Sequence, residues 1–312
     1  MKSITSILLI VLGIGIATTI FLFSAYTEPT KEKETTKTKK EAAPNNDGAI
    51  QHINIPKIPD SLTFAGESVP MDDMEMRERF DRELLSICFW HSTTIQNIKL
   101  ANRYFPYIEE IMKKHGVPDD FKYLAVTESS LRNASSPAGA KGIWQFMSFT
   151  AKSYKLTVNK EVDERLNFFK TTEAACKLLK ELKNKFGSWT LAAAAYNCGE
   201  GRVKERMEAQ KGSNYYDIVL PEETMRYVPR ILAMKEVLRA PEKYGFQFEK
   251  GDLYPSFPKY KTVIVNSSIS SWPEFCQQHN ISYRVLKFHN PWIKGYTLTN
   301  PGGKEYEVMI PE

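Results

Sequence analysis

The sequence predicts a mainly α-helical chain that opens with a membrane-spanning segment and closes with a small β-α-α-β unit. Three observations carry that expectation. An uncharged, mostly apolar run occupies Ile4–Tyr26, apolar residues recur at spacings of three and four from about 76 to 245, and Gly251, Pro255 and Pro258 then interrupt the pattern. The expected organisation is an anchor or signal segment at 1–27, a disordered linker at 28–75, a helical domain at 76–250 and a C-terminal module at 259–312.

The apolar run is about 23 residues long, enough for a helix to cross a bilayer and longer than the core of most cleaved signal peptides. Phe23-Ser24-Ala25 is a poor cleavage site, which favours an uncleaved membrane anchor. Lys2 precedes the run, and Lys31, Lys33, Lys37, Lys39 and Lys40 follow it. That charge distribution alone would keep the following segment in the cytoplasm. The motifs described below make sense only outside it, at the periplasmic or extracytoplasmic face.

Residues 28 to 75 include a charged, Thr-rich stretch, EPTKEKETTKTKKEAAPNNDG, that cannot bury enough apolar surface to offset its ordering entropy. Helical patterns follow at Arg77–Trp90 and Ile95–His115 and stop at Gly116 and Pro118, with Asp119 or Asp120 placed to cap the next helix. Further helices are expected at Thr172–Phe186, Ser188–Tyr196 and Thr224–Leu238. In the tail, Thr262–Val265 and Glu305–Ile310 read as strands, and Ser271–His279 and Ser282–His289 as short helices.

Bulk properties narrow the functions. Of 312 residues, 42% are hydrophobic and 25% charged, ordinary for a globular protein. A net charge of +5 and the absence of a basic, aromatic-interleaved stripe argue against a nucleic-acid partner. Cys88, Cys176, Cys198 and Cys276 form no CxxC pair, and no HExxH occurs, so neither a metal nor another cofactor is expected.

The chemistry concentrates in four segments. In Phe121-Lys-Tyr-Leu-Ala-Val-Thr-Glu128-Ser129, helical spacing puts Glu128 on the stripe of Phe121, Leu124 and Ala125. A carboxyl on a buried stripe should titrate high, as a general acid for glycosidic cleavage must. Downstream, Gly139-Ala-Lys-Gly142-Ile-Trp144-Gln145 combines backbone freedom with an amide that both donates and accepts. Ala195-Tyr196-Asn197-Cys198-Gly199-Glu-Gly201 places polar groups at a helix end, and Glu223-Thr-Met-Arg-Tyr227-Val closes the series.

These four segments, in this order, resemble those of family 1 lytic transglycosylases carrying an SLT domain, nearest to the membrane-bound, murein-cleaving members. The resemblance covers about residues 100–240. It implies a lysozyme-like helical fold that grips peptidoglycan glycan strands, with Glu128 as acid and then base. By the same resemblance Ser129 bonds near Glu128 or the sugar amide, Gln145 and Asn197 hold the sugar, Trp144 and Tyr196 line the cleft, and Tyr227 orients Glu128 or the substrate. Core packing explains Trp144, Tyr196 and Tyr227 as readily. Asp163-Glu-Arg165 resembles a structural segment of the family, with Asn167 standing where an acidic residue is expected. Tyr260–Glu312 resembles a divergent LysM module, without the usual Gly-Asp-Thr near its first helix.

The implied reaction cuts the bond between N-acetylmuramic acid and N-acetylglucosamine and closes a 1,6-anhydro ring. Two other readings fit the same segments. One is a water-using muramidase, with Asp163, Glu200 or Glu223 as a second carboxylate. The other is an inactive peptidoglycan-binding scaffold.

Overall fold

The computed structural model describes residues 54–249 and 251–312. The apolar segment expected to anchor the chain, and most of the tether after it, lie outside the described residues. Among those described, no helix is long and apolar enough to cross a membrane.

The first ordered element corrects the sequence reading, which ran the disordered linker to residue 75. Leu62–Phe64 (β1) and Glu67–Val69 (β2) form an antiparallel hairpin, with Ala65 and Gly66 at positive φ in its turn. Leu62, Phe64 and Val69 are buried, and Phe64 packs edge-on against Phe121 at 5.1 Å. Two three-residue strands carry too little alternation to stand out beside a charged tether. The Glu67 carboxylate accepts the Trp189 and Thr190 N–H groups at 2.5 and 2.9 Å, so the hairpin caps a helix more than a hundred residues away.

The helical body follows with α1 (Met74–Phe89), α2 (His91–His115), α3 (Lys122–Ser129), α4 (Ser148–Ser153), α5 (Phe168–Phe186), α6 (Trp189–Cys198), α7 (Glu200–Gln210) and α8 (Glu222–Arg239). Each long helix buries the face its sequence marks: Met76, Phe80, Leu84 and Ile87 on α1, Ala175, Leu179 and Leu182 on α5. Asp73, Asn167 and Ser188 accept the first free N–H groups of α1, α5 and α6. Gly116 and Gly187 end α2 and α5 in the left-handed conformation. Neither Asp119 nor Asp120 caps α3 as expected. Asp119 pairs with Lys122, and Asp120 accepts Ala65 N–H and Lys235 Nζ, tying hairpin, α3 and α8 together. Ala192–Ala195 are all buried, which lets α6 lie close to α5 and α8.

The tail has the expected order: β3 (Tyr260–Val265), α9 (Trp272–Gln278), α10 (Tyr283–His289) and β4 (Tyr306–Pro311), with β3 and β4 antiparallel from Tyr260↔Pro311 to Val265↔Tyr306. Asn290 is fully buried and fully used: it donates to Leu286 O and Met309 O and accepts Met309 N–H. It thereby stitches α10 to β4.

The tail is clamped to the helical body. Val162, from the loop before α5, is buried in the hydrophobic cluster of the tail. Asp163 N–H donates to Trp292 O at 2.9 Å, and Lys294 N–H to Glu161 O at 2.8 Å. Glu164, 1% exposed, accepts Lys170 Nζ from its own domain at 2.6 Å and Lys304 Nζ from the tail at 2.8 Å. The connection between the two is pinned as well, since Asn102 and Arg103 of α2 donate to Tyr254 O and Pro255 O.

Candidate active site

The four sequence segments meet in a closed circuit of hydrogen bonds. Ser129, at the end of α3, donates to Ile143 O in the 139–147 loop at 2.8 Å. In that loop, Trp144 O accepts the Tyr196 hydroxyl of α6 at 2.6 Å. On α6, Asn197 Oδ1 accepts Thr224 Oγ1 of α8 at 2.7 Å. From α8, the Tyr227 hydroxyl donates to Glu128 Oε1 on α3 and closes the ring. Every link joins a different pair of segments, so displacement of one is felt by the others.

Glu128 is half-buried at the last turn of α3. Burial, with a smaller push from Glu223, raises its carboxyl from the ordinary 4.5 to about 7, against the opposing pull of the Tyr227 hydroxyl and of Arg230. Tyr227 is buried, and that burial beside Glu128 holds its phenol protonated and therefore a donor. Arg230 is itself held at 2.8 Å by Glu83 of α1, a carboxylate 2% exposed that also takes Arg226. Sequence reasoning missed Glu83 and Arg230, and gave Thr224 no role although it lies in the fourth segment. Arg230 lies three residues beyond Tyr227, on the same helix face, the one local signal available. The Glu83 pairing joins elements 147 residues apart and leaves no mark on the sequence.

The backbone around Glu128 is strained. Ser130 and Leu131 have φ of 54° and 55°, and Gln145 has φ of 49°, all in the left-handed region that branched or long side chains avoid. Gly142 (φ 83°) is required twice over, because a Cβ there would lie 1.9 Å from Arg165 O. Arg165 is fixed in turn by Asp163, through Nε at 2.8 Å and Nη2 at 2.9 Å.

The structure distributes the expected site residues unevenly. The Gln145 amide donates to Gly142 O at 2.7 Å and Ala134 O at 3.2 Å, which leaves Oε1 as its outward acceptor. Asn197 spends Oδ1 on Thr224, which leaves its amino group as a donor. The pair thus offers one acceptor and one donor, the complement of a secondary amide. Tyr196 is half-buried, and its hydroxyl hydrogen is committed to the loop. Trp144 is a correction. Expected to line the cleft, it is fully buried and donates Nε1–H to Thr172 at 2.9 Å, so its indole anchors the loop from beneath. Ser129 likewise holds the loop.

Comparison with known proteins places the sequence among described relatives. Residues 105–219 match the Transglycosylase SLT domain, and residues 261–312 match the Soluble lytic transglycosylase C-terminal LysM-like domain. The chain is 30% identical over 262 residues to membrane-bound lytic murein transglycosylase D of Escherichia coli K12, covering 81% of this chain and 56% of that protein. It is 33% identical over 105 residues to a putative tributyltin chloride resistance protein of Alteromonas sp. M-1, covering 33% of this chain and 51% of the relative. The chain thus spans about half the length of the curated relatives it matches. Among solved structures, the 70 kDa soluble lytic transglycosylase of Escherichia coli aligns with a TM-score of 0.41 at 21% identity, over 54% of this chain and 30% of that one. The resemblance read from the four motifs is borne out, and so is that of the tail to a LysM-like module.

Proposed function

We propose that the chain is a peptidoglycan lytic transglycosylase in which Glu128 serves as the acid and then the base. The observation that carries this reading is a half-buried carboxyl, pushed up to about 7 by burial, set where four motif segments are bonded into one ring. The body would share the lysozyme-like arrangement of its relatives and act on the glycan at the cell envelope, with residues 1–27 as a membrane anchor and the tail as a LysM-like module fixed beside it.

Neutral Glu128 gives its proton to the glycosidic oxygen as the bond from C1 of N-acetylmuramic acid breaks. The Gln145 oxygen and the Asn197 amino group hold a sugar amide by its N–H and its C=O, and orient the strand. The acetamido oxygen of the substrate stabilises the cationic C1. Glu128, now a carboxylate, takes the proton of the 6-hydroxyl while that oxygen bonds to C1, which closes the anhydro ring and restores the acid. Tyr227 donates to Glu128 in both states, and its bond strengthens when the charge forms.

A water-using muramidase needs a free carboxylate opposite Glu128. Asp163 is locked to Arg165, and Glu200 pairs with Lys185 at 3.0 Å. Glu223 is exposed, and its charge is sensed at Glu128, so it is the carboxylate that a hydrolytic route would use. Mass spectrometry of digested peptidoglycan separates the routes. Transglycosylation yields ends lighter by one water that borohydride does not reduce, and these disappear with Glu128→Gln. Reducible ends alone, lost with Glu223→Gln, would instead establish hydrolysis.

A further inference from the structure

Where the tail meets the helical body, a crevice of about 50 Å³ opens between the two. Tyr104, Asn133, Asn167 and Phe169 line it from the helical body, and Phe288 and His289 from the tail. Its walls are aromatic, yet its rim carries amide groups that are free to bond. Asn133 has no side-chain partner, and Asn167 uses only Oδ1, to cap α5, among the described residues. Phe288 is 67% exposed and touches His289, with ring centres 4.9 Å apart. The crevice is narrow and suits an acetamido group, with the ring face of the sugar lying over an aromatic side chain at its mouth. It is tied to the candidate site through the chain. Asn133 belongs to the turn that leaves α3, and the next residue, Ala134, holds the Gln145 amide through its carbonyl.

We propose that this seam is a second sugar subsite, built jointly by the two domains, that takes an N-acetylhexosamine of the same glycan strand at a fixed distance from Glu128. The proposal rests on the transglycosylase reading for its substrate class. The clamp at Glu161–Glu164 gives the seam its function, because a tail free to swing could not share a sugar with α5. The subsite needs both walls, so it differs from glycan binding by the tail alone.

The test uses the full chain carrying Glu128→Gln, which binds without turnover, and calorimetric titration with β-1,4-linked N-acetylglucosamine oligomers. Phe288→Ala and Asn133→Ala, both at exposed positions that leave the fold intact, should each weaken binding of the hexamer about three- to tenfold. They should leave the dimer unaffected, and also the fully deacetylated hexamer. Unchanged hexamer affinity in both variants overturns the subsite, and so does an equal loss for dimer and hexamer. The transglycosylase reading fails separately, by absence of anhydro ends in the digest, and the two failures cannot be mistaken for each other.

Discussion

Glu128 and Glu164 both lose solvent on folding and titrate in opposite directions. Glu128 has a phenol for a partner, and burial lifts its carboxyl to about 7. Glu164, at the seam, is 1% exposed, yet Lys170, Lys304 and the Thr157 N–H outweigh that burial and hold its carboxyl below the ordinary 4.5. Desolvation is common to both, and the donors decide the sign. Among the described residues, one lysine from the body and one from the tail hold Glu164 charged, and no lysine is sensed at Glu128. The cation sensed at Glu128, Arg230, is occupied by Glu83.

The sharpest way to break this comparison is Glu128→Gln. Loss of general acid–base catalysis should cost about 10³-fold or more in rate of strand cleavage. The same change should stabilise the fold. A carboxyl raised from 4.5 to about 7 contributes its full share of stability below 4.5 and loses it as pH rises toward 7. At 1.36 kcal/mol per pH unit, the gain at pH 8 is at most about 3 kcal/mol, reduced by solvent screening. Melting curves of the two proteins from pH 4 to 8 should diverge as pH rises; parallel curves would show that Glu128 is not desolvated.

Gly142→Ala attacks the loop that carries Gln145. With a Cβ 1.9 Å from Arg165 O, the loop must move, and the rate should fall about 10²-fold. Urea unfolding should show a loss of about 2 kcal/mol or more. A fully active variant would mean that the ring of hydrogen bonds tolerates displacement.

At the other carboxyl the sign reverses. Glu164→Gln should cost about 1–3 kcal/mol at pH 7, because a neutral amide cannot balance two ammonium groups. The deficit should vanish as pH falls through the lowered Glu164 value, where the native carboxyl is protonated as well. Hydrogen exchange should report faster opening of the tail while α3 and α8 stay protected.

The smallest effect sharpens the comparison. Tyr227→Phe removes a donor that pulls the Glu128 carboxyl down, so its titration moves further up. The alkaline limb of the pH–rate profile should shift upward while the maximum falls about tenfold. A limb that moves down would show that the hydroxyl stabilises the protonated form.

Much of this was legible in the sequence, for identifiable reasons. The long helices announce themselves through their apolar stripes, and Gly116, Ser188 and Gly187 mark their ends. The tail was readable because Ser271 and Ser282 begin its helices and Asn290-Pro291 ends the second. The hairpin at Leu62–Val69 was not, because its stability comes from Phe64 on Phe121 and from Glu67 on α6, contacts made across long stretches of chain. At the site, residue types located the segments but not the division of labour. Trp144 and Gln145 are neighbours in sequence; only the fold shows that one faces the core and the other keeps a free oxygen.

The central claim is that Glu128 stays protonated near neutral pH in the folded protein. Carbon-13 NMR of side-chain-labelled glutamate reads this directly, with Glu128→Gln identifying the resonance. The account predicts a titration midpoint of about 7. A midpoint near the ordinary 4.5 would contradict it.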